Sequence, residues 1–268
     1  MALQSAAVAC RRCAKFRSVR WVAILVCFLG ALCLLLRYVI GPLIFWQLAE
    51  RCERPTYDVL QTLEANGYRS RPLRIEIRRY APYLVAEVRL PADLSEQEQR
   101  ALGFRQVAGY IFGGNKRRRS GLMWRWAPRR VAMGQEPEKI AMTAPVQTQT
   151  ASMPGSPTEA AAAETTTVSF TMPSKYRTMH DLPLPDNRNV TFRAVPEHIE
   201  AVVGFRGPPP KPGQVVGIQQ AMEIALSGSR IQIQGGQGAL VYQYHDPFAT
   251  PNILRWNEVA LLVDMPGV

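Results

Sequence analysis

Alternation of apolar and polar residues with a period of two marks several short strands in the chain after residue 55. The runs are rich in β-branched or aromatic residues, as half-buried strands are. They are LRIEIRRY (73–80), PYLVAEVRL (82–90), VSFTMP (168–173), GALVYQYH (238–245) and NEVALLVD (257–264). Ala81-Pro82 predicts a break between the first two strands, because proline cannot donate to a β-ladder.

The run EKIAMTAPVQTQT (138–150) also alternates, but Pro145 lies near its middle. A central strand excludes proline, so the sequence predicts an edge strand or a bulge at this point. A group other than a neighbouring strand is then expected to lie beside Pro145.

Two segments change to the 3.6-residue period of an amphipathic helix. The first begins with a capping box, Ser95 and Glu98, and has a stop signal at Gly113-Gly114. The second ends at Ser227-Gly228. The predicted apolar positions are Ala101, Phe104, Ala108 and Ile111 in the first helix, and Val215, Ile218, Met222 and Leu226 in the second.

The first strand pair resembles a later part of the chain when it is shifted by 115 residues. Ile75 then falls on Val190, Arg78 on Arg193 and Val88 on Val203. Such self-similarity predicts a duplicated β-β-α-β unit. The expected fold is α+β: a pseudo-symmetric, twisted antiparallel sheet or open barrel with two flanking helices.

An apolar segment precedes this domain. The sixteen residues 21–36 carry no charge, and the apolar character resumes at 38–46 after Arg37, which can snorkel to a membrane interface. About 20 residues of helix cross a bilayer core. The segment 21–46 is therefore predicted to be a transmembrane anchor. A cleaved signal peptide, an organelle transit sequence and a buried helix are the alternatives.

The anchor divides the chain into a basic tail (1–20), the span, a juxtamembrane linker (47–54) and a folded domain (55–268). The tail has five basic residues and no acid, which favours a cytoplasmic N-terminus and a single-pass chain with its domain across the membrane. Endomembrane, plasma membrane and plastid remain open as locations. Asn189-Val190-Thr191 is then a possible glycosylation acceptor, although its expected position at a strand start makes chance occurrence the better explanation.

The net charge of +11 is concentrated in two places. Five basic residues lie in the tail and seven in 116–130, and removing these twelve leaves 20 basic against 21 acidic residues. The folded body is thus near neutral, and no nucleic-acid partner is expected. All five cysteines precede residue 53, so the domain has neither a disulfide framework nor a thiol metal site.

Two insertions are predicted within the domain. The loop 116–136 combines basic residues with Trp124 and Trp126, which is typical of a solvated loop, a membrane-docking loop, a nucleic-acid contact or a ligand contact. The segment 150–166 is rich in Ala, Ser, Pro and Thr, and it predicts a hairpin loop that buries little surface.

Five collinear motifs resemble the SOUL/heme-binding protein family over residues 55–265. They are GFRQVAGYIFGGN (103–115), KIAMTAPV (139–146), VSFTMPSKY (168–176), AVVGFRG (201–207) and YHDPFATPNILRWNEVALLV (244–263). The resemblance implies a pseudo-symmetric, barrel-like sheet with two flanking helices. It also implies binding of heme or a related tetrapyrrole in a hydrophobic groove, without chemistry on the ligand.

By this resemblance, the groove runs along the first helix. Phe104, Arg105, Ala108 and Ile111 on that helix, together with Met142, are the implied tetrapyrrole-binding residues. An apolar groove buries the faces of a flat macrocycle, while a few polar groups fix its edge. From the residues alone, the apolar members of this set are equally consistent with ordinary core.

The chain departs from the mammalian heme-binding branch at the positions that carry basic residues there. By alignment these positions are Ala101, Gly109 and Thr250 here. Arg100, Arg105 or the basic loop are candidate replacements, because arginine suits carboxylates. The three histidines (180, 198 and 245) show no metal-ligand spacing, and surface or capping roles are expected for them.

The sequence contains no GxSxG, HExxH or P-loop pattern, so no enzyme is predicted. The expected function is membrane-anchored, non-catalytic tetrapyrrole binding for transport, buffering or sensing. The expected partners are a tetrapyrrole and a lipid membrane. The alternatives are a membrane-associated scaffold that has lost the ligand and uses the basic loop as a contact surface, and an enzyme that acts on a tetrapyrrole.

Overall fold

The computed structural model describes residues 25–66, 72–90, 93–117, 136–151, 165–235, 238–246 and 249–266. The predicted basic tail, the start of the anchor and most of both predicted insertions lie outside these residues. The predictions made for those segments therefore stay predictions.

The described chain contains three long helices and twelve strands. The helices are α1 (Leu25–Glu50), α2 (Glu96–Ile111) and α3 (Pro212–Leu226). The strands are β1 (Tyr57–Asn66), β2 (Pro72–Tyr80), β3 (Tyr83–Leu90), β4 (Asn115–Lys116), β5 (Val146–Ala151), β6 (Thr165–Thr171), β7 (Leu184–Pro185), β8 (Thr191–Val195), β9 (His198–Arg206), β10 (Gln232–Ile233), β11 (Leu240–Gln243) and β12 (Trp256–Asp264).

Ten strands form one antiparallel sheet, in the order β1-β2-β9-β12-β11-β5-β6-β3-β8, with β10 paired to β12. The sheet curls into a half-barrel, and β4 and β7 form a separate two-stranded pair. The predicted α+β class is confirmed. A strand pair followed by a helix occurs at both predicted repeats, as β2-β3-α2 and as β8-β9-α3. Their origin by duplication stays a prediction.

Period-two alternation places many of the apolar strand residues on the convex face, where the two helices cover them. A smaller buried cluster, which includes Val202, Leu240 and Ala260, lies on the opposite face. The cluster under α2 includes Ala86, Val107 and Phe170, and the cluster under α3 includes Ile75, Met222 and Val259. All six side chains are fully buried. The two clusters under the helices form the larger part of the core, and burial of apolar surface is the main favourable term in folding.

Helix α2 begins and ends close to its predicted signals, and α3 ends at the predicted Ser227-Gly228. The Ser95 side chain accepts a hydrogen bond from Glu98 N, and Glu98 Oε2 accepts one from Ser95 N. Gly113 follows α2 with φ 118°, a conformation that glycine tolerates without a side-chain clash. In α3, the predicted apolar positions Ile218 and Met222 are buried.

The predicted strand at 138–150 is shorter than its alternation suggests, and the expectation of an edge strand is wrong, because β5 pairs with both β11 and β6. Strand β5 begins only at Val146, directly after the Ala144-Pro145 peptide bond, which is cis. The strand does not include Pro145, because proline has no backbone N–H to donate to a β-ladder. Ala144 instead donates through its backbone N–H to Glu53 O at 2.9 Å, so this segment contacts the end of the N-terminal region.

The helix α1 is long and apolar enough to cross a membrane. Its most apolar window has a mean hydropathy of 2.1, and none of that window is buried against the rest of the protein. Leu36–Ile40 forms a π-helical turn within it. The helix extends to Glu50, four residues beyond the predicted end of the span.

Candidate functional site

Four of the five predicted binding residues lie on α2. Ile111 belongs to the buried cluster under this helix, and Ala108 is also buried. Phe104 is half-buried and packs on Phe170, with ring centroids 5.5 Å apart. Arg105 is exposed, and its Nε donates to Ala101 O at 3.4 Å within the helix.

Met142, the fifth residue, lies in the segment that approaches the end of α2. Ile140 N donates to Ile111 O at 3.0 Å, which fixes this segment beside the helix. The Met142 side chain is 40% exposed. Two of the predicted residues therefore contribute to the core, one is half-buried, and Arg105 and Met142 face solvent.

The outward face of α2 is an exposed surface on which two of the four residues have small side chains or none. Ala101, Arg105, Gly109 and Phe112 follow one another at helical spacing, and all four are exposed. We call these four residues the α2 strip. Phe112 is 61% exposed, and a Cβ added to Gly109 would meet nothing within 4 Å. The strip is thus an apolar, open surface with one cation.

The α2 strip fits the chemistry of a tetrapyrrole in part. Its small residues and Phe112 suit the apolar face of a macrocycle, and Arg105 suits a carboxylate edge group. Met142 offers a thioether, which is a weak ligand for iron. Thr250, the third position that lacks a basic residue, is 1% exposed and cannot reach a ligand there. Arg105 is the cation that the strip supplies for such a ligand.

The concave face of the sheet is unexpectedly polar. Its side chains are Glu76, Arg78 and Tyr80 from β2, Tyr83 and Glu87 from β3, His198 and Glu200 from β9, Tyr242 from β11, and Trp256 and Glu258 from β12. Several of these polar side chains are almost fully buried, because the curled sheet encloses them. Charged groups of this kind need partners, since an unpaired buried charge is costly.

Arg78 and Glu258 form the best-satisfied pair on this face. Arg78 Nη2 donates to Glu258 Oε1 at 3.0 Å and Nη1 donates to Oε2 at 3.1 Å. Tyr244 OH and Trp256 Nε1 donate to the same carboxylate at 2.6 and 3.1 Å. Arg78 also lies over the Tyr57 ring, 4.4 Å from its centroid. This pair is structural, because each oxygen already accepts two donors.

Buried tyrosines line the same face. Burial raises the pKa of Tyr80, Tyr83, Tyr242 and Tyr244, and the nearby carboxylates raise it further. All four hydroxyls therefore stay protonated in neutral solution. Tyr242 and Tyr244 donate to Glu200 and Glu258, whereas Tyr80 OH accepts a hydrogen bond from Arg78 Nη1.

Two cavities open onto the concave face. One, of about 250 Å³, includes Arg78, Tyr80, Tyr244 and Glu258 in its lining, and we call it the Arg78 cavity. The other, of about 450 Å³, includes Tyr83, Arg193, His198 and Glu200, and we call it the Glu200 cavity. None of the five predicted binding residues lines either cavity.

A family model described as "SOUL heme-binding protein" matches residues 52–262, which is most of the chain and nearly all of the domain. The chain belongs to the SOUL heme-binding protein family. The resemblance drawn from the five motifs is confirmed. A search among curated proteins returned no significant match.

Several solved structures are similar to this SOUL domain at low identity. An uncharacterized conserved protein from Listeria innocua is 13% identical, covers 71% of this chain and 92% of its own, and has a TM-score of 0.46. A hydrolase from Listeria innocua is 11% identical, covers 81% and 96%, and has a TM-score of 0.42. The EcmrR C-terminal domain is 10% identical, covers 72% and 98%, and has a TM-score of 0.42.

The histidines of the SOUL domain occupy three different environments. His180 is exposed, whereas His198 lies between Tyr80 and Tyr83 on the concave face. His245 is buried, and its Nδ1 accepts a hydrogen bond from Trp256 N at 3.1 Å. Within the described residues, no group of three or more His, Cys, Asp or Glu side chains is placed to hold a metal ion.

The concave face of the SOUL domain was missed from the sequence, although its signal is present. Glu76, Arg78 and Tyr80 alternate with apolar residues along β2, and Glu200 and Glu258 do so along β9 and β12. Such alternation usually predicts a solvated face, and nothing local indicates that the sheet curls over it.

Proposed function

We propose that this protein is a membrane-anchored SOUL domain that binds heme or a related tetrapyrrole on the outward surface of α2 without altering the ligand. The family match over residues 52–262 is the observation that carries this proposal. The roles open to such a protein are transport, buffering and sensing of the tetrapyrrole. The proposal places the domain on the side of the membrane opposite a cytoplasmic N-terminus.

The α2 strip and Met142 supply the contacts in this proposal. One face of the macrocycle packs on Gly109 and Phe112, and Arg105 pairs with a carboxylate at its edge. Phe104 supports the ligand from the flank of the helix, and Met142 contacts it from the adjoining segment. Ala108 and Ile111 do not contact the ligand in this proposal, since both side chains are buried. Their role is to pack α2 on the sheet.

When bound, heme supplies an iron centre and strong visible absorption, which makes the proposal directly measurable. The test is a hemin titration of the full chain in lipid nanodiscs, followed at the Soret band, with empty nanodiscs subtracted. Saturable one-to-one binding is expected. Absence of any signal beyond that of empty nanodiscs contradicts the proposal and favours the membrane-scaffold alternative.

Substitutions on the exposed surface test the location. Phe112→Asp places a charge under the macrocycle, and we expect a loss of affinity of about tenfold or more, because apolar contact is replaced by a desolvated carboxylate. Ile224→Asp is the matched control, since Ile224 is 76% exposed on α3, the other domain helix. Equal affinities for the two variants would place the ligand elsewhere.

A further inference from the structure

Glu200 is a buried carboxylate with one unused oxygen. Its side chain is 1% exposed. Oε1 accepts a hydrogen bond from Tyr242 OH at 2.7 Å and lies 3.2 Å from His198 Nε2. Oε2 is buried and accepts no hydrogen bond from the residues that the structure describes. A carboxylate oxygen can accept two hydrogen bonds, so half of this group lacks its partners.

The neighbouring groups fix the position of this carboxylate but leave Oε2 without a hydrogen-bond donor. His198 packs against Tyr80 and Tyr83, with ring centroids 5.4 and 5.9 Å apart. Its Nδ1 lies 2.8 Å from Pro196 O, so each ring nitrogen faces an oxygen. Tyr242 is itself 4% exposed, so its hydroxyl is held where it donates to Glu200 Oε1. The surroundings of Glu200 are therefore fixed before any ligand enters.

The charges of the Glu200 cavity are distributed by depth. Glu87 and Glu200 lie at its buried floor, with side chains 4% and 1% exposed. The basic residues are near the rim: Arg193 is 41% exposed and Arg89 is 71% exposed. Arg193 Nε donates to Glu87 at 2.8 Å, whereas no described arginine or lysine contacts Glu200. The floor thus favours a cation beside Glu200.

We propose that the Glu200 cavity binds an organic monocation that carries an N–H donor, such as a protonated arylalkylamine or amidine. The N–H group donates to Glu200 Oε2, and the positive charge lies beside the rings of the surrounding tyrosines. A cavity of about 450 Å³ accommodates a small aromatic ligand. This site is separate from the α2 strip, which lies on the convex side of the sheet.

The proposal is tested by calorimetric titration of the full chain in zwitterionic nanodiscs. The probe is phenethylammonium, and the comparison ligands are its trimethylammonium analogue and the neutral 2-phenylethanol. Phenethylammonium is expected to bind at least about tenfold more tightly than either, since only it has both the charge and the donor. No binding above that to empty nanodiscs, or equal affinity for all three ligands, overturns the proposal.

Two isosteric substitutions locate the site. Glu200→Gln is expected to weaken phenethylammonium binding about tenfold or more, because it removes the charge and presents an amide in its place. Glu197→Gln is the matched control, since Glu197 lines the same cavity but is exposed. Equal losses in the two variants, or no loss in Glu200→Gln, overturn the proposal. Hemin binding is expected to be unchanged in both.

A pH series on the wild-type chain tests the same site without any substitution. Burial lowers the pKa of His198, but its hydrogen bond to Glu200 and the charge of Glu200 outweigh burial, so the net pKa is raised. Protonated His198 neutralises Glu200, whereas neutral His198 leaves it free for a cation. The charged and titratable groups facing this pair are Arg78 and Tyr80 from β2, Tyr83 and Glu87 from β3, Arg193 from β8 and Tyr242 from β11.

Affinity for phenethylammonium is therefore expected to rise between about pH 5 and about pH 8, as His198 loses its proton. The ligand stays charged over this range, because the pKa of an alkylammonium is about 10. A constant or falling affinity overturns the proposal.

Discussion

Glu258 and Glu200 are both buried on the concave face, and they differ in the number of donors that they meet. Glu258 accepts four hydrogen bonds, two of them from Arg78. Glu200 meets Tyr242 and His198 at one oxygen and no donor at the other among the described residues. Removing one partner of a satisfied buried charge pair destabilises a fold, whereas an unsatisfied buried charge is more typical of a site.

Amide substitution at these two positions is expected to have different effects on stability. Glu258→Gln leaves Arg78 without its main counter-charge and should cost about 3 kcal/mol, which lowers the thermal midpoint by roughly 10 °C. Glu200→Gln keeps an acceptor for Tyr242 and should cost less than about 1 kcal/mol. Thermal denaturation followed by near-UV circular dichroism measures both. Equal decreases in the midpoint contradict this account.

The position of α2 on the sheet depends on a glycine in its buried face. A Cβ at Gly103 would lie 2.6 Å from Val168 Cγ2 and 2.8 Å from Leu90 Cδ1. These distances are shorter than van der Waals contact, so any side chain at 103 pushes the helix away from β3 and β6. Gly109 lies on the exposed face of the same helix with open space around its Cα.

The two glycines of α2 therefore predict opposite effects of the same substitution. Gly103→Ala should destabilise the domain by about 1–3 kcal/mol through overpacking. Gly109→Ala should stabilise it by up to about 1 kcal/mol, since alanine has the higher helix propensity and meets no atom there. The thermal midpoints of the two variants, compared with the wild type, check this prediction. Midpoints that move in the same direction would argue against close packing at position 103.

At the scale of the whole molecule, the residues that directly follow α1 make specific contacts with the rest of the SOUL domain. Arg54 lies over the Tyr244 ring, 4.9 Å from its centroid, and Glu53 Oε1 accepts a hydrogen bond from Ser174 N at 2.8 Å. Arg54 also lines the Arg78 cavity. If α1 spans a bilayer, these contacts place the mouth of that cavity close to the membrane surface.

Membrane insertion of α1 is tested by placing charges in its uncharged stretch. Leu29→Arg combined with Leu32→Arg should release the chain from membranes on alkaline extraction, because each arginine costs about 2.5–3.5 kcal/mol at a helix centre. Val216→Arg combined with Ile224→Arg is the control: these residues are exposed on α3, and the chain should stay in the membrane pellet. Release of wild-type chain contradicts the anchor.

The elements could be predicted wherever the determining signal is local. The Ser95 cap, the Gly113 stop and the buried positions Ile218 and Met222 all follow from spacing within one turn or two. The start of β5 could not be predicted to the residue, because alternation continues through Pro145 although the ladder does not. Four of the five predicted binding residues share one helix, but spacing alone could not separate those that pack inward from those that face solvent.

The sequence by itself determined the family, the α+β class and the pairing of helices with strands, since these follow from motifs and from periods of 2.0 and 3.6 residues. Only the tertiary structure decided that the polar faces of β2, β9 and β12 are enclosed. Strand alternation fixes which side chains share a face, but the curl of a sheet depends on pairings between strands far apart in the chain. For that reason Glu200 looks like a solvated residue in the sequence and lies at the floor of a cavity in the fold.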